Sequence, residues 1–477
     1  MKSVYIVNIP QYDADTVPLG PAILQKVAKE AGYKPYFSDL NLELDLKTKH
    51  NPKATTIWSS NLEGHLPYSV VKYLIKTIID RTIDKIISTK SSFVGISFFS
   101  QKSMPYGLLF LKRLKTKRYF GKIVIGGPGV SRSLEKVQQL YEDGLTDYYV
   151  IGDGEVAFEK ILKDELPYAG VNNTQSVAIG DMDSLAMPDF ENFKLDLYPK
   201  MFDKLTLGIE GSRGCVRNCG FCDIKVLFLK YRYKSGQRLY DEVMFNVENN
   251  EVYTYWFTDS LVNGNQKEFR IMLRLLGDYN KSVHETKRIK WTGQYIVRPQ
   301  KQYIEEDFQL LVDSGCFTLA TGIESYSEKV RKDLGKNFSN ADINWFFHKC
   351  QEHGISLFVM MIIGYPTEDE EAFQDTMNFF NEYEHLSDDN TISGIQLGHT
   401  MIMIPGTPTW IDRHELGIEY DAFNFISQPN SWKNANSDIR LRMQRRLIAQ
   451  KHAVKLGWGI RSNQQQLDMF KRWSHDL

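Results

Sequence analysis

Three cysteines stand in one short run: Gly211-Ser212-Arg213-Gly214-Cys215-Val216-Arg217-Asn218-Cys219-Gly220-Phe221-Cys222-Asp223. Thiolates at this Cys-x-x-x-Cys-x-x-Cys spacing can ligate three irons of one cubane cluster, and soft sulfur donors select iron–sulfur or zinc over hard cations. No fourth protein ligand is near, so one iron stays open to a small molecule. Zinc would take four protein ligands; Asp223 is adjacent but badly placed, and no His lies in the run. A disulfide would leave an odd cysteine and suits secreted chains.

Regular elements must hold this run in place. Residues 205–209 read as a strand running straight into the cysteine loop. Strand patterns follow at 253–257, 289–295, 318–323, 356–363 and 392–401, with helices between them. Strands joined by crossover helices imply an open partial barrel, and parallel barrels place chemistry at the carboxyl ends of their strands. Polar groups at those ends are therefore candidates: Asp259, Arg298 and Glu324. Asp259 would otherwise cap the next helix, and Arg298 would otherwise form a surface ion pair. Arg213 and Arg217 flank the cysteines, where they would tune a cluster, hold an anion or simply be solvated. Tyr231 and Tyr233 follow the loop and would face substrate or line the core.

Upstream, strands and helices alternate from the first residues. Residues 4–9 form a β-rich apolar run; Pro18-Leu19-Gly20-Pro21 opens a helix through Ala31 that Gly32 stops. An amphipathic stretch at 68–88 precedes a strand at 93–97 and a helix at 106–115. A strand at 123–125 ends in Gly126-Gly127-Pro128-Gly129, and one at 148–151 ends in Gly152-Asp153-Gly154-Glu155 before a helix. This alternation implies a parallel, doubly wound sheet, in which ligands bind beyond the carboxyl ends of the strands. The glycines lie at those ends and let backbone approach a ligand closely.

Pro167, Asn172, Asn173, Pro188 and Pro199 break any period over 166–200, which reads as a linker. Residues 421–477 lack a strand pattern. Arg440-Leu441-Arg442-Met443-Gln444-Arg445-Arg446-Leu447-Ile448 reads as a helix, basic on one side, with a solvated face. Trp458, Phe470 and Trp473 would anchor it as a small helical cap. The expected organisation is 1–165, a linker at 166–200, 201–420 and 421–477.

The 477 residues carry 58 Lys plus Arg against 59 Asp plus Glu, which gives no global field for nucleic acid or an anionic membrane. Of the five cysteines, Cys316 and Cys350 stand alone in apolar contexts and read as core. So many free thiols point to a reducing compartment. The longest apolar run, 357–363, is too short to cross a bilayer. The first residues read as a strand rather than a signal peptide. A cytoplasmic protein is expected, with neither membrane nor nucleic acid as partner.

The cysteine spacing, with aromatic Phe221 before the third cysteine, resembles the signature of the radical S-adenosylmethionine (radical SAM) superfamily. The resemblance implies a 4Fe-4S cluster on Cys215, Cys219 and Cys222 whose open iron chelates SAM. One electron then cleaves SAM to methionine and a 5'-deoxyadenosyl radical. It implies that Asp259 meets the SAM amino group, Arg298 its carboxylate, and Glu324 its ribose or amine. An external reductase, or a donor of the flavodoxin or ferredoxin kind, would supply the electron. The order of a Pro-Leu-Gly opening, a Val-Gly-Ile-Ser strand, a Gly-Gly strand end and a Gly-Asp-Gly-Glu turn is similar to the class with an N-terminal cobalamin (B12)-binding domain.

By that analogy Ser97, Gly126, Gly127, Ser131, Gly152 and Glu155 would line a cobalamin site. The implied fold is α/β: a Rossmann-like, B12-binding-like domain, then a partial (β/α)6 barrel and a small helical C-terminal region. The Asp-x-His-x-x-Gly pattern of many cobalamin proteins is missing from 1–165. Its match at Asp412-Arg413-His414-Glu415-Leu416-Gly417 lies after the barrel and reads as a helix stop. The implied activity is cobalamin-dependent methyl transfer to an unactivated carbon or a phosphinate phosphorus. The alternatives are a cobalamin-free mutase, cyclase or dehydrogenase and a non-enzymatic iron–sulfur redox or sensor protein. A methylthiotransferase would carry a second cluster on N-terminal cysteines, and none precedes Cys215.

Overall fold

Ser3–Asn8 (β1) is buried at every residue, as a strand covered on both faces must be. The computed structural model describes residues 2–10, 16–48, 68–165, 171–172, 179–198, 200, 203–398, 401–420 and 430–460. Two units emerge from its contacts: Met1–Ile209 with Phe245–Thr254, and Glu210–Met244 with Tyr255–Leu477.

The first unit adds Lys34–Asp39 (β2), Phe93–Ser97 (β3), Lys122–Gly126 (β4), Tyr148–Ile151 (β5) and the short Val171–Asn172 (β6). They form one sheet in the order β2-β1-β3-β4-β5-β6, every pair parallel. Val4 and Ile6 pack on one face with Val124 and Val150, while Tyr5 and Val7 pack on the other with Ile96 and Ile125. Helices Leu19–Glu30 and Met104–Thr116 are among those covering the sheet. This is the expected doubly wound sheet; β2, with its Lys, Pro, Ser and Asp, is absent from the sequence-based reading.

Of the expected linker, residues 179–198 fold back on this unit. The Ile179 N–H donates to Asp153 at 3.0 Å, Gln25 donates to the Asp189 carbonyl at 3.0 Å, and the Tyr198 hydroxyl donates to buried Asp39 at 2.7 Å. Pro167, Asn173 and Pro199 lie outside the described residues.

The later strands are Thr206–Ile209 (β7), Ser212–Arg213 (β8), Arg232–Tyr233 (β9), Thr254–Phe257 (β10), Lys290–Gln294 (β11), Cys316–Glu324 (β12), Ser356–Met361 (β13) and Ile392–Leu397 (β14). Six of them follow chain order in one sheet, β14-β13-β12-β11-β10-β7, and the pairs from β11 to β14 are parallel. Crossover helices such as Gln266–Ser282, Asn340–Glu352 and Glu370–Glu382 lie between them, as the partial barrel requires. At the β14 edge, the Ile395 N–H donates to the Gly459 carbonyl at 2.8 Å, so the C-terminal segment covers an otherwise open edge. Cys316 and Cys350 are buried, as expected of core residues.

The C-terminal helix, Ile439–Lys455, corrects one expectation. Arg442, Arg445 and Arg446 are buried rather than solvated. Arg442 stacks 3.7 Å from the Trp432 ring and donates to the Asn430 and Trp432 carbonyls, each at 2.6 Å. Arg445 donates to the Glu368 carbonyl at 3.1 Å and pairs with Glu370 at 3.0 Å; Arg446 donates to the Leu397 carbonyl at 2.8 Å. Backbone carbonyls thus replace water around these guanidinium groups. Trp458 is buried, as expected of an anchor; Phe470 and Trp473 lie outside the described residues. Among the described residues, no helix is long and apolar enough to cross a membrane.

Candidate active site

Cys215, Cys219 and Cys222 are free, half-buried thiols on the loop that follows β7. β8 and β9 pair antiparallel across the neck of this loop, Ser212 with Tyr233 and Arg213 with Arg232, so residues 214–231 form one closed lobe. Two-residue strands leave no periodic trace, and the sequence gives no sign of this ribbon.

Buried Asp259, just beyond β10, clamps the neck. Its Oδ2 accepts from the Gly211 N–H at 2.8 Å and its Oδ1 from the Ser212 hydroxyl at 2.5 Å. Burial pushes this carboxyl up to about 7, against the pull of those two hydrogen bonds. Arg213 is not solvated: it grips Glu210 through two bonds of 2.9 and 2.8 Å. Lys234 and Glu242 form a fully buried ion pair at 2.6 Å just past the neck. Tyr231 stacks on Tyr233 with centroids 5.8 Å apart, and burial pushes its phenol up to about 12.

The far side of the lobe is pinned through Gly220. Its N–H donates to the Leu334 carbonyl at 3.1 Å, and its carbonyl accepts from the Thr409 N–H at 3.0 Å. A Cβ at this position would lie 2.6 Å from both the Thr409 and the Tyr365 hydroxyl oxygens. Phe221 packs against the apolar cluster of Val330, Leu334, Tyr365 and Trp432. The turns 364–367 and 405–408, legible as strand-end turns, therefore deliver Tyr365 and Thr409 to the cysteine lobe.

Glu324 ends β12 with φ at +63°, a left-handed conformation that a non-glycine residue adopts only at a cost. A bulge between Gly322 and Glu324 turns the carboxylate. Lys336 holds it at 2.9 Å and also donates to the Gly322 carbonyl at 2.6 Å. Burial raises the Cys219 thiol, and the Lys336 charge is the largest influence opposing that rise. Burial likewise pushes Cys222 up to about 11. Lys336 lies outside every strand pattern, and the sequence reading missed it.

Arg298, beyond β11, donates through Nη2 to the Asn263 carbonyl at 2.7 Å, while its buried Nε finds no acceptor. Burial holds this guanidinium below its usual value, and the Arg217 charge adds to that. The site thus gathers the three thiols, Phe221, Glu324 and Lys336, with Asp259 at its neck.

The donor set suits a cluster. Among the described residues, no three His, Cys, Asp or Glu side chains converge tightly enough to hold a single ion. Three free thiols on one loop are the type of donor that an iron–sulfur cluster takes.

In the first unit, Ser97 pairs with Gly126 across β3 and β4, and the Gly152 N–H donates to the Ser131 hydroxyl at 3.2 Å. Glu155 opens the helix Glu155–Leu162 after β5. All six residues therefore lie along the carboxyl edge of β3, β4 and β5. Gly127 has φ at +102°, and a Cβ there would lie 2.6 Å from the Phe98 carbonyl oxygen. Beside it the Ser100 and Ser103 hydroxyls are buried without a hydrogen-bond partner. Neither serine stood out in the sequence. The Asp412–Gly417 pattern belongs to the second unit, where the helix Pro408–Ile411 has already ended and Gly417, at φ +61°, closes a turn rather than stopping a helix.

Comparison with known proteins supplies the family. Residues 209–380 match the Radical SAM superfamily. An uncharacterised methyltransferase of Pyrococcus horikoshii is 25 % identical over 275 residues, 54 % of this chain and 57 % of that protein. The match therefore spans little more than half of that relative. A putative methylthiotransferase of Methanocaldococcus jannaschii is 25 % identical over 331 residues, 64 % of this chain and 68 % of that protein. The fold is that of the radical S-adenosylmethionine methyltransferase TsrM from Kitasatospora setae, with a TM-score of 0.63 at 14 % identity, covering 88 % of this chain and 81 % of that one. It is also that of the cobalamin-dependent S-adenosylmethionine radical enzyme OxsB, with a TM-score of 0.65 at 15 % identity, covering 94 % of this chain and 66 % of that one.

Proposed function

The chain belongs to the radical SAM superfamily through residues 209–380, and from that premise we propose that it is a cobalamin-dependent radical SAM methyltransferase acting on an unactivated carbon. The observation that carries this reading is the lobe of three free thiols pinned by Gly220 beside the Glu324–Lys336 pair. When bound, the cluster and SAM supply a 5'-deoxyadenosyl radical and cobalamin supplies a carried methyl group; the protein orients and shields them.

This chain's own residues then divide the work. Cys215, Cys219 and Cys222 would hold the cluster. Glu324, fixed by Lys336, would accept from the ribose or amine of SAM, and Arg298, whose Nε has no acceptor, would pair with the carboxylate. Asp259 acts by holding the neck of the lobe, since both its oxygens already accept from Gly211 and Ser212. The Phe98–Ser103 loop fits cobalamin: two buried hydroxyls lack partners beside a glycine turn that keeps the surface low. Methyl transfer is preferred here to methylthio transfer because residues 1–214 of this sequence hold no cysteine that could bind a second cluster.

Anaerobic reconstitution with iron, sulfide and hydroxocobalamin, followed by SAM and a reductant, tests the reading. Retained cobalamin, a cluster spectrum and formation of both 5'-deoxyadenosine and S-adenosylhomocysteine are expected. A cluster with no retained cobalamin would move the assignment to radical chemistry without methyl transfer. SAM cleavage that survives in Cys215→Ala would sink both.

A further inference from the structure

Cations from distant parts of the chain line up along the amino edge of the first unit's sheet, at the opposite end of the strands from the candidate cobalamin site. The Lys34 N–H, at the start of β2, donates to the Lys2 carbonyl at 2.9 Å. The Ser92 N–H donates to the Ser3 carbonyl at 3.0 Å, and the Lys122 N–H to the Ser92 carbonyl at 2.8 Å, which sets Lys90 and Lys122 on the same edge. All four lysines are exposed, and the row crosses four neighbouring strands in the order β2-β1-β3-β4. Arg118 joins it, because the adjacent Tyr119 hydroxyl donates to the Ser91 carbonyl at 2.8 Å. The near balance of the whole chain, 58 against 59, conceals this row because distant segments assemble it.

Folding does not account for the row. Lys90 and Arg118 follow the helices Asp80–Ser88 and Met104–Thr116 with φ at +51° and +58°, where glycine is the usual residue. Those helices already carry Lys85, Arg113 and Lys115 in their last turns to answer the dipole. Two acids near the edge, Asp84 and Asp147, are taken by Lys117 and Lys122. Among the described residues, Lys2, Lys34, Lys90 and Arg118 form no ion pair. Two apolar tips stand among these cations. Phe120, between Arg118 and Lys122, is 91 % exposed, and Ile87, just before the turn that carries Lys90, is 41 % exposed. Tyr119 is buried and bonded, so the turn is held while the Phe120 ring is left in water.

We propose that this edge docks on an anionic lipid surface, with Phe120 inserted among the acyl chains and Lys90 and Arg118 on the headgroups. Cations set around protruding apolar side chains suit the boundary between headgroups and acyl chains, where each kind of group finds its own solvent. A single-stranded nucleic acid is held by a succession of rings, whereas this row offers Phe120 between two cations. An acidic protein would need an apolar area to bury at the centre of its contact, and two separate tips supply little of one. Docking through the amino edge leaves the carboxyl edge free, since β3 has five residues and spans about 17 Å. The attraction depends on salt, because every cation in the row is exposed. None of this requires the cluster, SAM or cobalamin, so the proposal stands apart from the function proposed above.

The test is cosedimentation of the full, cluster-loaded chain with vesicles, either phosphatidylcholine alone or equal parts of phosphatidylcholine and phosphatidylglycerol, at low and high salt. The parent should sediment with the anionic vesicles at low salt, and far less with the neutral ones or at high salt. The double variant Lys90→Glu, Arg118→Glu should bind anionic vesicles at least about tenfold more weakly. Phe120→Ser should weaken binding severalfold and leave its salt dependence unchanged. The pair Lys136→Glu, Lys267→Glu, two exposed lysines elsewhere, changes the net charge equally and should bind like the parent. Circular dichroism confirms that each variant folds, and Phe120→Ser, at an exposed turn, tests the edge even if the charge reversals do not fold. A parent that ignores anionic vesicles would overturn the proposal. So would equal losses in the two lysine and arginine pairs, which would reduce the effect to net charge. Vesicle binding that survives both edge variants would place the contact elsewhere. Binding of poly(U) RNA in place of vesicles, lost in the double variant, would hand the edge to a nucleic acid and overturn the lipid assignment.

Discussion

Lys336 donates to Glu324 Oε1 at 2.9 Å and to the Gly322 carbonyl at 2.6 Å, so one ammonium group fixes both sides of the bulge that ends β12. The segment carrying Lys336 also touches the cysteine lobe, because the Leu334 carbonyl accepts from Gly220. The strained carboxylate and the cluster loop are thereby tied to one short stretch of chain. Neither partner is more than 12 % exposed, so their attraction is little screened.

Replacing Lys336 by Met should leave Glu324 buried without its cation. The expected loss is about 3 kcal/mol of stability, together with about tenfold weaker SAM binding by the cluster-loaded chain. Lys336→Arg should recover most of both. Denaturant melts and calorimetric titration separate the two effects. Unchanged SAM affinity in a destabilised Met variant would reduce the pair to a structural brace.

Gly220→Ala offers a sharper probe of the lobe. The added methyl would press on Thr409 and Tyr365, whose hydroxyl oxygens would lie 2.6 Å away. Overpacking of this kind costs about 1–3 kcal/mol. Here it would also pull Cys219 and Cys222 out of place. Iron bound per chain after reconstitution should fall severalfold while far-ultraviolet circular dichroism stays unchanged. Full iron loading would mean that the lobe can shift as a body.

Asp259 gives a pH signature. Burial raises its carboxyl from 3.8 to about 7 in the folded chain. The folded state therefore binds the extra proton between those values, and stability from this group declines as pH rises from about 4 to 7. Asp259→Asn keeps an acceptor for the neck and removes the titration. The stability difference, variant minus parent, should grow by a few kcal/mol between pH 5 and pH 8. Glu368, also raised to about 7, contributes to both proteins and cancels in the difference. A pH-independent difference would show that Asp259 stays ionised and is held by the Gly211 and Ser212 bonds instead.

The thiol spacing and the strand–helix alternation were legible because both are local patterns. Ser97, Gly126, Gly127, Ser131 and Gly152 could be placed on one edge because a parallel sheet aligns its strand ends. Lys336, Ser100 and Ser103 were not, since their importance lies in what a distant turn leaves bonded or unbonded. β2 escaped because Lys34, Pro35, Ser38 and Asp39 dilute its apolar pattern, although it occupies the end of the sheet. The C-terminal arginines were misread for a different reason. Arg442, Arg445, Arg446, Ala449 and Ala453 recur at helical spacing and are all buried, so the period marked a core face. Counting Arg as polar hid it.

That reversal yields the last prediction. Arg442 fills space beside Trp432 and bonds the Asn430 and Trp432 carbonyls, while Arg440, on the same helix, is exposed. Arg442→Met keeps much of the volume but removes the guanidinium bonds to both carbonyls, at an expected cost of about 3 kcal/mol. Arg440→Met should change stability by no more than about 0.5 kcal/mol. Trp432 fluorescence reports the local change, since its indole also donates to the Met401 carbonyl at 2.8 Å. If the two variants melted alike, the guanidinium groups would be surface charges after all, and a basic face open to anionic partners would return as the better account of this helix.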